Sequence, residues 1–157
     1  MEQAMIDQPN WCKVAEVELV YKTKVKASER PHIRSSRDSF NILKEIWDEN
    51  KINMLEQFKV LLLNRANRVV GVYEASSGGI TGTIADSRLI LATAIKSLAV
   101  SIILSHNHPS GNLTPSAADQ NLTSKIKYAC QYHDIKVLDH LIVTSEGYYS
   151  FADEGLI

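Results

Sequence analysis

Between Val14 and Lys26 apolar and polar positions alternate. Val17, Leu19, Tyr21 and Val25 fall on one face; Glu16, Glu18, Lys22, Lys24 and Lys26 fall on the other. Period-two alternation predicts a half-buried strand, and a row of lysines suits an exposed sheet edge. Ala27 to Arg34, with Pro31 inside it, reads as a connection. A helix is predicted from Ser35 or Ser36, with Asp38 in its first turn and Phe40, Leu43, Ile46 and Trp47 as its apolar stripe. Phe58 to Leu63 is an apolar run broken only by Lys59, hence a buried strand. Asn64 to Asn67 forms a turn and Val69 to Ala75 returns as the partner strand.

Ser76-Ser77-Gly78-Gly79 breaks that pairing and begins a loop, and Ser76 to Gly82 could equally flank a substrate groove. Asp86 is placed to cap a helix through about Ala99, apolar on most sides and so expected to be well covered. Val100 to Leu104 is another buried strand. Thr114-Pro115 offers a hydroxyl N-cap and a proline at the first helical position, opening a helix to about His133. Ile135 to Thr144 is a strand, Glu146-Gly147 a turn, and Tyr148 to Phe151 a short last strand. Helices interleave with strands and hairpins, so the expected fold is an α/β sandwich around a mixed sheet.

Composition narrows the class. The chain has 157 residues, 45% of them hydrophobic, and a domain of that length buries roughly two-thirds of its chain surface without staples. Residues 1–12 read as a loose tail and 13–34 as the strand and connection. Lysine and arginine number 17 against 18 acids, a net charge of −1, so global charge does not argue for nucleic acid or membrane binding. Cys12 and Cys130 are too few for a disulfide framework and are read as reduced thiols, with a single disulfide as the alternative. No apolar run approaches the ~20 residues of a membrane span. The polar first ten residues do not resemble a signal peptide, so a cytoplasmic protein is expected.

Candidate chemistry concentrates in His106-Asn107-His108-Pro109-Ser110-Gly111, followed by Ser116 and Asp119. Extended residues two apart point the same way, so His106 and His108 can face one ion at the end of their strand. Ser116 and Asp119 are three apart on a predicted helix and share a face. Two imidazoles and one carboxylate form a zinc ligand set that leaves a fourth position open, as hydrolysis of an amide would require.

The spacing His-x-His, seven residues, Ser, two residues, Asp is similar to the signature of the JAMM (MPN+/JAB) metalloprotease domain. The wording SHNHPSGNLTPSAAD, with IKVLDHLIV and GYYSFADEGL, resembles the RadC-type branch of that family over roughly residues 35–157. The resemblance implies a cytidine-deaminase-like α/β sandwich. It implies one zinc ion per chain held by His106, His108 and Asp119. It also implies that Ser116 helps hold the tetrahedral intermediate and that Glu56, opening an upstream strand, is the catalytic base. RadC proteins usually carry an N-terminal helix-hairpin-helix region associated with DNA, which is not expected in this chain. A proline that often precedes the arginine opening the middle helix is Ser87 here.

The expected function is therefore a zinc-dependent peptidase or isopeptidase acting on a peptide or isopeptide-like substrate. The alternative is a DNA-repair-associated accessory module that binds nucleic acid through residues such as Lys24, Lys26 and Arg34. Glu45 and Glu49 are other acids near Glu56 in sequence. Asp139 and His140 alternate on a strand and face opposite ways, so they should not share a metal; His140 is expected to be structural or to support a ligand. His32 and His133 are expected at the surface. The apolar positions between Val17 and Val25 could pair with another chain.

Overall fold

The computed structural model describes Ala15, Glu18, residues 20–78 and residues 85–157. Five strands form one sheet in the order β2-β1-β3-β4-β5: β1 Gln57–Leu63, β2 Val69–Ser77, β3 Ser101–Asn107, β4 Lys136–Val143 and β5 Tyr148–Ser150. β1 runs antiparallel to β2 and β3, β3 runs parallel to β4, and β4 antiparallel to β5. Four α-helices, α1 Ser36–Ile46, α2 Glu49–Ile52, α3 Ser87–Lys96 and α4 Ala117–Gln131, and a single 3₁₀ turn at Ala27–Glu29 complete the described elements. The mixed sheet and its helices make the α/β fold expected from the sequence.

Every residue of β1 and of β3 is buried, because these strands are covered on both faces. On one face Phe58, Val60, Leu62, Ile102 and Leu104 pack with Ile90 and Ala94 of α3 and Ile126 and Cys130 of α4. On the other, Leu61, Leu63, Ile103, Leu141 and Val143 pack with Phe40 and Leu43 of α1, Trp47 and Ile52. A strand buried on both sides reads as a near-continuous apolar run; only Lys59 interrupts Phe58 to Leu63, and it is buried with its amine paired to Glu74 of β2.

The helix starts follow local chemistry. Asp38 accepts from the Ser35 amide at 3.1 Å while Ser35 Oγ accepts from the Asp38 amide at 3.3 Å, a reciprocal cap for α1. Asp86 Oδ1 accepts from the Arg88 amide at 2.9 Å to start α3. The Arg88 side chain and amide hold the Asp86 carboxyl down at about 2.

Several expectations are corrected. The segment expected as a strand over Val14 to Lys26 lies partly outside the described residues, and Val20 to Lys26 forms no strand. Val20, Tyr21 and Val25 are 44%, 43% and 49% exposed; alternation specifies a strand only where one face is covered, and here neither is. Tyr21 instead donates its hydroxyl to the Val70 carbonyl of β2. Helix α3 stops at Lys96, and Leu89 and Ile95 are exposed, because it lies at the surface with one inward stripe. Ile46 is likewise exposed, whereas Phe40, Leu43 and Trp47 are buried. Helix α4 begins at Ala117 with Ser116, not Thr114, as N-cap, and ends at Gln131. Both hydroxyls precede the helix, but only Ser116 has an acid three residues on to return the bond. Gly79 to Gly82, part of the proposed groove-flanking loop, and Cys12 lie outside the described residues; Cys130 is a free, buried thiol.

The core account predicts that Leu104→Ala, at a fully buried position, lowers unfolding free energy by about 2–5 kcal/mol in a denaturant titration. Leu98→Ala, at a position 77% exposed, should change it by less than about 0.5 kcal/mol.

Candidate metal centre

Strand β3 delivers the histidines. Ile102 and Leu104 point to the α3–α4 face, and His106 continues that parity. Its ring lies parallel to that of Phe58, its ladder partner on β1. Residue 107 turns to the opposite face, and His108 follows just past the strand end. Helix α4 approaches from the same side with Asp119 in its first turn.

The geometry is compact. His106 Nε2 lies 2.9 Å from His108 Nε2 and 3.3 Å from Asp119 Oδ1; His108 Nε2 lies 3.8 Å from Asp119 Oδ2. One atom from each of the three residues lies within 4.8 Å of the other two. Ligand atoms around a tetrahedral zinc ion sit about 3.3–3.5 Å apart, from its usual bond lengths. His106 is buried, while the side chains of His108 and Asp119 are each 16% exposed, so the cluster opens to solvent on one side.

The donor set fits a cation. His108 Nδ1 is 2.6 Å from the Asn112 carbonyl, which can only accept. Nδ1 therefore carries the proton and Nε2 keeps its electron pair. Burial alone would push the Asp119 carboxyl up. In the metal-free site the hydrogen bond and charge of a protonated His106, with side-chain and backbone bonds from Ser116, outweigh it and hold the carboxyl well below the usual carboxylate range. An ionised carboxylate and a bare imidazole nitrogen thus converge, an arrangement that calls for positive charge between them. His106, His108 and Asp119 could hold a metal ion.

Ser116 is locked to Asp119. Its amide and hydroxyl both donate to Asp119 Oδ2 at 2.7 Å, and its Oγ accepts from the Asp119 amide at 3.1 Å. The cap occupies Oδ2 and leaves Oδ1 facing His106. To contact a substrate oxygen, the exposed Ser116 hydroxyl must trade its bond to Oδ2 for one to that oxygen.

Glu56 immediately precedes β1 and is half-buried, with its carbonyl accepting from the Gly78 amide at 2.8 Å. Because Phe58 pairs with His106 in an antiparallel ladder, extending the register by two places sets residue 56 abreast of His108. Glu45 and Glu49 are exposed on α1 and α2.

Two polar residues that the sequence did not single out hold this region together. Asn107, between the two histidines, is fully buried. Its carboxamide accepts from the Gln57 amide at 2.7 Å and donates to the Ile52 and Leu55 carbonyls at 2.7 and 2.9 Å. It thereby ties the residues flanking Glu56 to β3. Thr123 lies one turn after Asp119 and bonds both the Asp119 carbonyl and His140, each at 2.6 Å. Its i+4 spacing from Asp119 was the available signal; Asn107's was its place between two same-facing ligands.

Asp139 and His140 do face opposite ways. Asp139 accepts from Ser150 Oγ at 2.6 Å and from the amides of Ala152 and His140 at 3.0 and 2.7 Å, on the side away from the histidines. Burial raises its carboxyl, against those bonds. His140 is fully buried, and burial pushes its imidazole well below the usual histidine value. His133 is exposed; His32 is half-buried and accepts from Arg34 Nε at 3.1 Å. Lys24, Lys26 and Arg34 are exposed on the segment before α1.

The model of the RadC-like JAB domain matches residues 33–156, almost the whole of the described fold. The chain belongs to the RadC-like JAB domain family. It is 48% identical over 124 residues to a UPF0758 protein of Flavobacterium johnsoniae, covering 79% of this chain and 53% of that one. It is 45% identical over 103 residues to a UPF0758 protein of Porphyromonas gingivalis, covering 65% and 45%. With the UPF0758 protein YfjY of Escherichia coli it shares 37% identity over 130 residues, covering 80% and 81%. The chain thus spans about half the length of the first two relatives and most of the third. Among the described residues, no helix of this RadC-like JAB domain is long and apolar enough to cross a membrane.

A carboxyl depressed in the folded state stabilises the protein above its unfolded pKa of about 3.9, and that contribution is lost as pH falls through the folded value. In chelator-treated protein, Asp119→Asn should therefore cost stability at pH 5, with the deficit shrinking as pH falls below about 3. Parallel denaturant titrations across that range measure the difference.

Proposed function

We propose that the protein is a zinc-dependent hydrolase of peptide or isopeptide-like bonds. The observation that carries this reading is the convergence of His106, His108 and Asp119 on one point at the end of β3, with Glu56 beside it by strand register. When bound in such a set, zinc acidifies water toward a pKa of about 7 and polarises a carbonyl.

The chain's own residues supply the rest. His108 Nε2 and Asp119 Oδ1 offer electron pairs, and the Asn112 carbonyl and the Ser116 cap keep each aimed. The Glu56 carboxylate takes a proton from water and passes it to the nitrogen of the departing amine, serving first as base and then as acid. Asn107 keeps Glu56's neighbours in place while it does so. Ser116 donates its hydroxyl to the substrate oxygen as negative charge builds there, releasing Asp119 Oδ2 for the moment of reaction. Phe58 and its neighbours close the inner side of the site against water. The cytoplasm, where thiols such as Cys130 stay reduced, suits this reading.

Metal analysis of freshly purified protein should find about one zinc per chain, and His108→Ala should lose it. Glu56→Gln should keep the zinc and lose at least about a hundredfold in hydrolysis of a panel of peptide- and isopeptide-linked substrates. Zinc-free wild type, or undiminished zinc-dependent hydrolysis by Glu56→Gln, would refute the proposal.

A further inference from the structure

His106, the buried member of the cluster, has its orientation controlled from behind. Its Nδ1 lies 2.8 Å from His140 Nε2. His140 Nδ1 lies 2.6 Å from Thr123 Oγ1, and Thr123 Oγ1 lies 2.6 Å from the carbonyl oxygen of Asp119. The directions of these bonds follow one from another. A carbonyl only accepts, so the single hydroxyl proton of Thr123 goes to Asp119. The hydroxyl oxygen then accepts from His140 Nδ1–H. A neutral ring carries one such proton, so His140 Nε2 is an acceptor and His106 Nδ1 must donate to it. In the neutral His106 ring, the form that can bind a metal, this leaves Nε2 without a proton, facing Asp119 and His108.

Among the described residues, the His140 ring has no other hydrogen-bond partner. It is 0% exposed, stacked on Phe151 with ring centroids 4.7 Å apart and tilted against Phe58 at 5.5 Å. Its place depends on an irregularity in the sheet. Ile102 pairs with Val137 but Ile103 pairs with Asp139, so Leu138 is an extra residue in β4. This bulge turns His140 to the same face as Leu104 and His106.

Resting on the metal-binding reading above, we propose that His140 is a positioning residue. With Thr123 it forms a directed hydrogen-bond chain from the Asp119 carbonyl to His106 Nδ1, fixing the tautomer that presents His106 Nε2 to the metal. The chain starts and ends on residues of the ligand set, so the first turn of α4 and the ring on β3 are set together. His108, by contrast, has its tautomer set by the Asn112 carbonyl alone.

Zinc affinity measured by chelator competition tests this. His140→Phe keeps the aromatic packing and removes the acceptor; it should weaken zinc binding about 10–100-fold, the usual cost of losing a bond that orients a ligand. His140→Gln, whose side-chain oxygen can accept from His106 Nδ1–H, should restore most of that loss. Thr123→Val should weaken binding about tenfold and Thr123→Ser should not. Zinc binding by His140→Phe and Thr123→Val within about twofold of wild type would overturn the inference while leaving the metal site standing. Wild type that binds no zinc would overturn the metal reading and this inference with it. Where the variants do not fold, long-range proton–nitrogen spectra of zinc-loaded wild type decide. His140 protonated at Nδ1 and bare at Nε2 supports the chain; a proton on His140 Nε2 refutes it.

Discussion

The pairing of β3 with β1 on one side and β4 on the other is the constraint from which the site takes its coordinates. The ladder sets His106 beside Phe58 of β1 and beside Ile142 of β4. It also brings Glu56 level with His108. Side chains alternate along a strand, so a slip of one residue would aim Asn107 at α4 and turn both histidines toward α1. Burial on both faces opposes such a slip, because it would exchange apolar contacts in two cores at once. The three residues that could hold a metal are thus held by the same packing that holds the fold.

The carboxylate of Asp119 serves the fold and the site together. One oxygen closes the cap of α4 with Ser116; the other faces His106. Helix nucleation and ligand placement are therefore one event: the cap cannot form without presenting the acid. The cost lies in the collection of acceptors that results. Electron-rich atoms gathered within a few ångströms repel unless a cation joins them, so binding a metal and completing the fold should be linked. The cluster opens to solvent on the His108 side; the aromatic wall at Phe58 and Phe151 closes the inner side.

Two buried polar networks flank the cluster on opposite faces of the sheet. Asn107 braces the segment that carries Glu56, and His140 with Thr123 braces His106. The side chains of Asn107, Thr123 and His140 are buried, so losing one of their bonds leaves a buried group unpaired.

The chain's own pattern shows most of what is local. The apolar run of β1, broken only by Lys59, the Ser35–Asp38 cap of α1, and the His-x-His followed by Ser-x-x-Asp are each short-range signals, legible because neighbouring residues alone determine them. Glu56 was identifiable only by resemblance, since its relation to His108 passes through a ladder between strands about fifty positions apart. The same limit misled at Val20 to Lys26, where alternation promised a strand that no neighbouring face covers. It also misled at Thr114, where two hydroxyls competed and a reciprocal bond chose the other. What only the tertiary structure decided is which distant groups share an interior. The bulge at Leu138 turns His140 toward the ligands, and Asn107 reaches across to α2 and the start of β1. Pattern along a chain reports periodicity and caps; register, bulges and buried polar partners arise when separate segments meet.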